Sequence, residues 1–206
     1  MTVGWQCLEV GCGAGSVARW LAGQVGSTGR VVAVDLDTRF LEGHGLAYLD
    51  VRQHNIVADT MADGSFDLAH ARAVLEHIPD RRRALERMIS AVRPGGWLMV
   101  EDVDFGELRA AALAHYVDPP EHAALFERIY RAVKTVFAAV GSDASFGARL
   151  IGELSDAGLE TIAAEIHAPI VAEGPWPGPA GRSSSSRPGS SAPGWSPRTT
   201  SSVPSA

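Results

Sequence analysis

The sequence predicts an α/β domain, a doubly wound, mostly parallel sheet with helices on both faces. Three observations predict it. Short β-branched runs alternate with segments of helical period through the first hundred residues, and such alternation builds a parallel sheet covered on both sides. The first run, Trp5 to Leu8, passes through Glu9-Val10-Gly11-Cys12-Gly13-Ala14-Gly15 directly into Val17-Ala18-Arg19-Trp20-Leu21-Ala22. A strand therefore feeds a helix through a glycine turn, which aims backbone amides and the positive helix end into one crevice. The second run, Arg30 to Val34, ends on Asp35, 20 residues after Gly15. That interval sets a carboxylate at the carboxyl end of the neighbouring strand, where it can accept both hydrogen bonds of a ribose diol.

The elements follow in order. Strands are expected over 5–10, 30–35, 49–54, 66–71 and 96–103, with helices over 14–25 and 80–92 and a short one over 38–45. In the helix after Pro79, Leu85, Met88, Ile89 and Val92 recur at i, i+3, i+4 and i+7, a stripe that packs on the sheet. Pro94, Gly95 and Gly96 then stop it. Residues 104–143 interrupt the alternation with a helical insertion, strongest over 119–140, whose apolar side carries Leu125, Ile129, Val133, Val136 and Phe137. Pro119 and Pro120 suit its first turn. Residues 145–157 read as another sheet-covering helix stopped by Gly158, and 159–171 as a sixth strand.

Composition bounds the function. The chain has 206 residues, 46% hydrophobic and 20% charged, enough for one domain with its own core. Cys7 and Cys12 have neither a CxxC nor a metal-ligand pattern and read as reduced thiols, with no metal expected. The N-terminal segment has no basic stretch before a long apolar run, and no run approaches bilayer length, so a cytoplasmic protein without a membrane partner is expected. The net charge of −6 argues against a nucleic-acid partner, which requires a basic surface. The one basic cluster, Arg81-Arg82-Arg83, reads as a solvated helix surface.

Composition changes abruptly after Glu173. The last 33 residues hold 22 glycine, proline or serine residues, too few apolar groups to offset chain entropy. The domain is therefore expected over 1–173, with a disordered tail over 174–206. Arginine outnumbers lysine 17 to 1, which suggests GC-rich coding, and the tail reads as the product of an alternative frame.

The glycine pattern is G-x-G-x-G, with Ser16 where the dinucleotide fingerprint G-x-G-x-x-G has its third glycine. With Glu9 two places before it, followed in order by Asn55 to Phe66, Asp67, Leu68 to His77 and Arg93-Pro94-Gly95-Gly96, the chain resembles the class I S-adenosylmethionine-dependent methyltransferases. The resemblance implies a Rossmann-like fold, S-adenosyl-L-methionine as cofactor and a small-molecule methyl acceptor. It further implies that Glu9, Gly11, Cys12, Gly13 and Gly15 hold the methionine part. Asp35 and Leu36 take the ribose and flank the adenine, and Asn55, Ile56 and Ala71 complete the cofactor site. The family has an aspartate where Asn55 stands, so charge assistance at the adenine amino group is lost and weaker affinity is expected. The family also has N-terminal helices and a closing antiparallel strand, and the fold is expected to lack both.

Methyl transfer from a sulfonium needs positioning more than acid-base machinery. A general base, needed only where the acceptor must lose a proton, belongs at the carboxyl ends of the fourth and fifth strands. His70, Arg72, Glu76 and His77 follow the fourth, and Glu101, Asp102 and Asp104 the fifth. His77 is the first choice because histidine titrates near neutral pH, and Asp102 the second. A nicotinamide-dependent oxidoreductase and a non-catalytic methyltransferase remnant are the competing readings.

Overall fold

Val31, Val32 and Val34 give β2 (Arg30–Asp35) the continuous β-branched run of a strand covered on both faces. The computed structural model describes residues 1–106, 117–167 and 201–202. β1 (Gln6–Val10), β2, β3 (Leu49–Gln53), β4 (Phe66–Arg72) and β5 (Val92–Glu101) form a parallel sheet in the order β3-β2-β1-β4-β5. Side chains alternate across it. Leu8, Val10, Val32 and Val34 cluster with Ala84, Leu85, Met88 and Ala91 of α2 (Arg81–Ala91) on one face. Cys7, Val31 and Ala33 cluster with Ala18, Leu21, Ala22 and Val25 of α1 (Ser16–Val25) on the other. Each buried valine, leucine or methionine among them stabilises the fold by about 1.5–3 kcal/mol.

Local signals fix the helix ends. Asp80 caps α2, accepting from Arg83 N at 3.4 Å. Gly26, at φ 66°, ends α1. Arg81 is not a solvated helix residue: its guanidinium donates to Gly141 O at 2.9 Å and lies 5.7 Å from the Phe146 ring centre. It thereby pins the exit of the insertion to the start of α2. The insertion carries α3 (Ala123–Ala139), within the expected span but with no buried residue, and is followed by α4 (Phe146–Asp156), which buries Phe146 and Leu154.

Three expectations need correction. The helix over 38–45 is a single 3-10 turn, Arg39–Leu41, because the left-handed Gly43 (φ 64°) and Gly45 (φ 67°) cannot continue it. The strand over 159–171 is a lone ladder pair at Glu160 followed by irregular chain to 167. Thr161 at φ 56° breaks the extended run, and residues 168–171 lie outside the described ones. The tail, for which no place in the sheet was expected, contributes β6 (Ser201–Ser202), antiparallel to Leu98 and Trp97 of β5. Ladder bonds are made by the backbone, so an open strand edge can recruit serines as readily as apolar residues.

Candidate active site

The glycine turn sits at the carboxyl end of β1, the middle strand of the five parallel ones, with β2 and β4 on either side. Gly11, Gly13 and Gly15 have φ of 68°, 49° and 79°, a conformation that only glycine adopts without strain. Their surroundings differ in a telling way. A Cβ at Gly11 would lie 2.3 Å from a Val74 methyl, and one at Gly15 would lie 2.3 Å from a Leu41 methyl. At Gly13 it would meet nothing within 4 Å. The outer two glycines let protein pack closely, while the middle one opens onto free space that a ligand can approach.

Asp35 closes the turn from β2. Its Oδ2 accepts from Gly13 N at 2.8 Å and its Oδ1 from Asp37 N at 3.1 Å. Leu36 beside it is 65% exposed, an apolar side chain offered to solvent at the rim. Beyond β3, Ile56 is buried. Asn55 Oδ1 accepts from Val57 N at 3.0 Å and Ala58 N at 3.2 Å, so its oxygen shapes the turn that presents Ile56. Ala71 is fully buried in β4 opposite Val10.

Beneath the turn lies a pair that sequence reading did not join. Glu9 and His70 are direct neighbours across the β1–β4 ladder, and both are buried. His70 Nδ1 is 2.5 Å from Glu9 Oε2, and its Nε2 is 3.0 Å from Glu101 Oε1. Burial opposes the charged imidazole, but the Glu9 carboxylate and the Glu101 hydrogen bond outweigh it and push His70 up to about 9. Arg72 donates to Ser16 Oγ at 2.8 Å, tying the end of β4 to the start of α1.

The loop after β4 is held from β5. Ala73 N donates to Glu101 O at 2.7 Å, Val74 N to Asp102 Oδ1 at 3.0 Å, and Val103 N to Glu76 Oε2 at 3.0 Å. Asp102 Oδ2 is buried without a protein partner. Burial, and then the Glu76 carboxylate, push Asp102 up to about 7. His77 is half exposed, with Nε2 3.2 Å from Glu76 Oε1 and Nδ1 3.4 Å from Ser142 Oγ, and its ring lies 5.8 Å from that of Phe137 on α3. His77 and Asp102 are thus brought to one corner beside the glycine turn, His77 facing outward and Asp102 turned to backbone. Asp67, part of the motif series, does structural work, accepting from Gln6 N and from Arg93 Nε at 2.7 Å each.

A parallel sheet whose first turn opens at Gly13, flanked by a strand-end aspartate, defines a nucleotide-cofactor domain. Residues 4–146 match the family described as methyltransferase domain, and the chain belongs to that family. It is 39% identical over 102 residues to methyltransferase str3 of Strobilurus tenacellus, covering 48% of this chain and 35% of the relative. It is 33% identical over 102 residues to the ubiquinone biosynthesis O-methyltransferase of Paraburkholderia phymatum, covering 46% and 43%. The aligned stretch thus spans less than half the length of either relative. Its fold matches that of a SAM-dependent methyltransferase from Aquifex aeolicus, with TM-score 0.54 and 20% identity over 79% of this chain and 76% of that one. Among the described residues, no helix is long and apolar enough to cross a membrane.

Proposed function

We propose that this chain transfers a methyl group from S-adenosylmethionine to a small-molecule acceptor. The observation that carries the reading is the free space over Gly13, framed by Asp35 and by packed neighbours at Gly11 and Gly15. In this reading the turn from Glu9 to Gly15, Cys12 included, holds the methionine part. Asp35 exchanges its bond to Gly13 N for the ribose hydroxyls, Leu36 and Ile56 sandwich the adenine, Asn55 shapes the turn beneath it, and Ala71 leaves room beside Val10. The bound cofactor supplies an activated methyl on sulfur, so the chain's own residues contribute orientation and exclusion of water.

His77 is assigned the base for acceptors that must lose a proton, because it is the outward-facing titratable group of the corner. Asp102 is assigned the holding of the Ala73–His77 loop. The insertion with α3 is assigned the cover over the acceptor, reaching the corner through Phe137. Calorimetry on the full chain tests the reading: S-adenosylhomocysteine binds, NAD does not, and Asp35→Ala weakens binding at least about tenfold, the worth of a lost charged hydrogen bond. An absence of S-adenosylhomocysteine binding overturns it.

A further inference from the structure

One buried imidazole joins two acidic groups that belong to different ends of the site. A neutral imidazole has a single N–H and can donate to one carboxylate, whereas the imidazolium donates to two. His70 faces Glu9 Oε2 at 2.5 Å and Glu101 Oε1 at 3.0 Å, so with both carboxylates ionised the arrangement is satisfied only by the cation, although burial raises the Glu9 carboxyl above its ordinary value. Register explains it: Glu9 is His70's partner on β1, Met99 is its partner on β5, and Glu101 lies two positions past Met99 on the same face. Glu9 and His70 are 3% exposed, while the Glu101 side chain is 45% exposed at the carboxyl end of β5. Arg72 on β4 acts on both carboxylates, and His167 acts on Glu101 from beyond α4.

We propose that His70 is a positioning residue that couples Glu9, at the cofactor end of β1, to Glu101, at the open end of β5, so that occupation of the cofactor site is felt at Glu101. The proposal rests on the cofactor-site reading given above. Glu9 is shared between two cationic claims, the imidazolium below and a cationic amine brought to the glycine turn. When the amine claims more of Glu9, His70 gives more of its hydrogen bonding to Glu101; when Glu101 is neutralised, His70 turns more fully to Glu9 and the amine loses. By linkage the two effects are equal in free energy. The coupling is a redistribution of hydrogen bonding and requires no proton transfer.

Two measurements on the full chain test it, with S-adenosylhomocysteine as the probe. In a double-mutant cycle, Glu101→Gln weakens binding at least about threefold in the native background and leaves it unchanged within error in a His70→Gln background. Equal effects in the two backgrounds overturn the coupling and leave the cofactor site standing. Because His70→Gln exposes Glu9 to burial without a partner, the second measurement needs no variant there: nitrogen-15 histidine spectra of the native chain. Saturation with the probe is expected to shift both His70 ring nitrogens, and Glu101→Gln to abolish the shift at Nε2. Bound probe with unmoved His70 signals overturns the coupling, and an absence of binding overturns it together with the site on which it rests.

Discussion

α1 and α3 are both amphipathic, yet they stand in opposite relations to the sheet. α1 buries Ala18, Leu21, Ala22 and Val25 against Cys7, Val31 and Ala33. α3 is seven residues longer and buries none; Leu125, Ile129, Val133 and Val136 are 48–66% exposed. Among the described residues its attachments include Phe137 against His77, Tyr130 against Phe105, and the Arg81 bond to Gly141 just past its end. An apolar stripe therefore records that a helix has a face to cover, not what covers it. The helix that presents the glycine turn is part of the core, and the helix assigned to the acceptor is hung from it.

The comparison can be broken most strongly at Leu21. Leu21→Ala, at a site 1% exposed, is expected to cost about 3 kcal/mol in urea unfolding. The acceptor corner ranks next. Asp102 is pushed up from 3.8 to about 7 in the folded chain, so its contribution to stability is whole below pH 4 and is lost as pH rises through 7. Asp102→Asn should match the native chain near pH 4 and exceed its stability by roughly 4 kcal/mol at pH 8, since Asn keeps an acceptor for Val74 N. A constant difference across that range would remove the buried carboxyl from the account.

Gly13→Ala sharpens the contrast within the turn itself. The left-handed φ of 49° with no neighbour within 4 Å sets the folding cost at about 1 kcal/mol, while S-adenosylhomocysteine binding falls far more steeply than stability does. Proportionate losses would mean that the space over Gly13 is not the ligand's. The smallest effect is expected on α3, where Ile129→Ser, at 55% exposure, should change stability by less than about 0.5 kcal/mol. A larger cost would show that α3 is packed in solution after all.

What the sequence made legible follows from how local each signal is. β2 lies where its β-branched run said, residue for residue, and the helix assigned to 80–92 is α2, started by the Asp80 cap and ended one residue before Val92, which the structure gives to β5. The glycine turn and Asp35 were readable because their spacing is fixed within one strand-helix-strand unit. The bond between Glu9 and His70 was not: 61 positions separate them, no period links them, and only the β1–β4 register makes them neighbours. The same holds for Asp102, whose partner Val74 belongs to the loop of another strand. Thr161 marks the other kind of miss, a β-branched residue held at positive φ where propensity alone writes strand.

Cys12 gives the site a chemical liability that its burial removes. The proposed donor is an electrophile, and a thiolate is among the best nucleophiles a protein can place beside one. Cys12 lies in the turn itself, 7% exposed, and burial, then Asp35 and Glu9, push its thiol up to about 11. At neutral pH only about one molecule in ten thousand carries the anion. In the proposed site, burial first, and Asp35 and Glu9 second, therefore keep Cys12 as the thiol beside the donor.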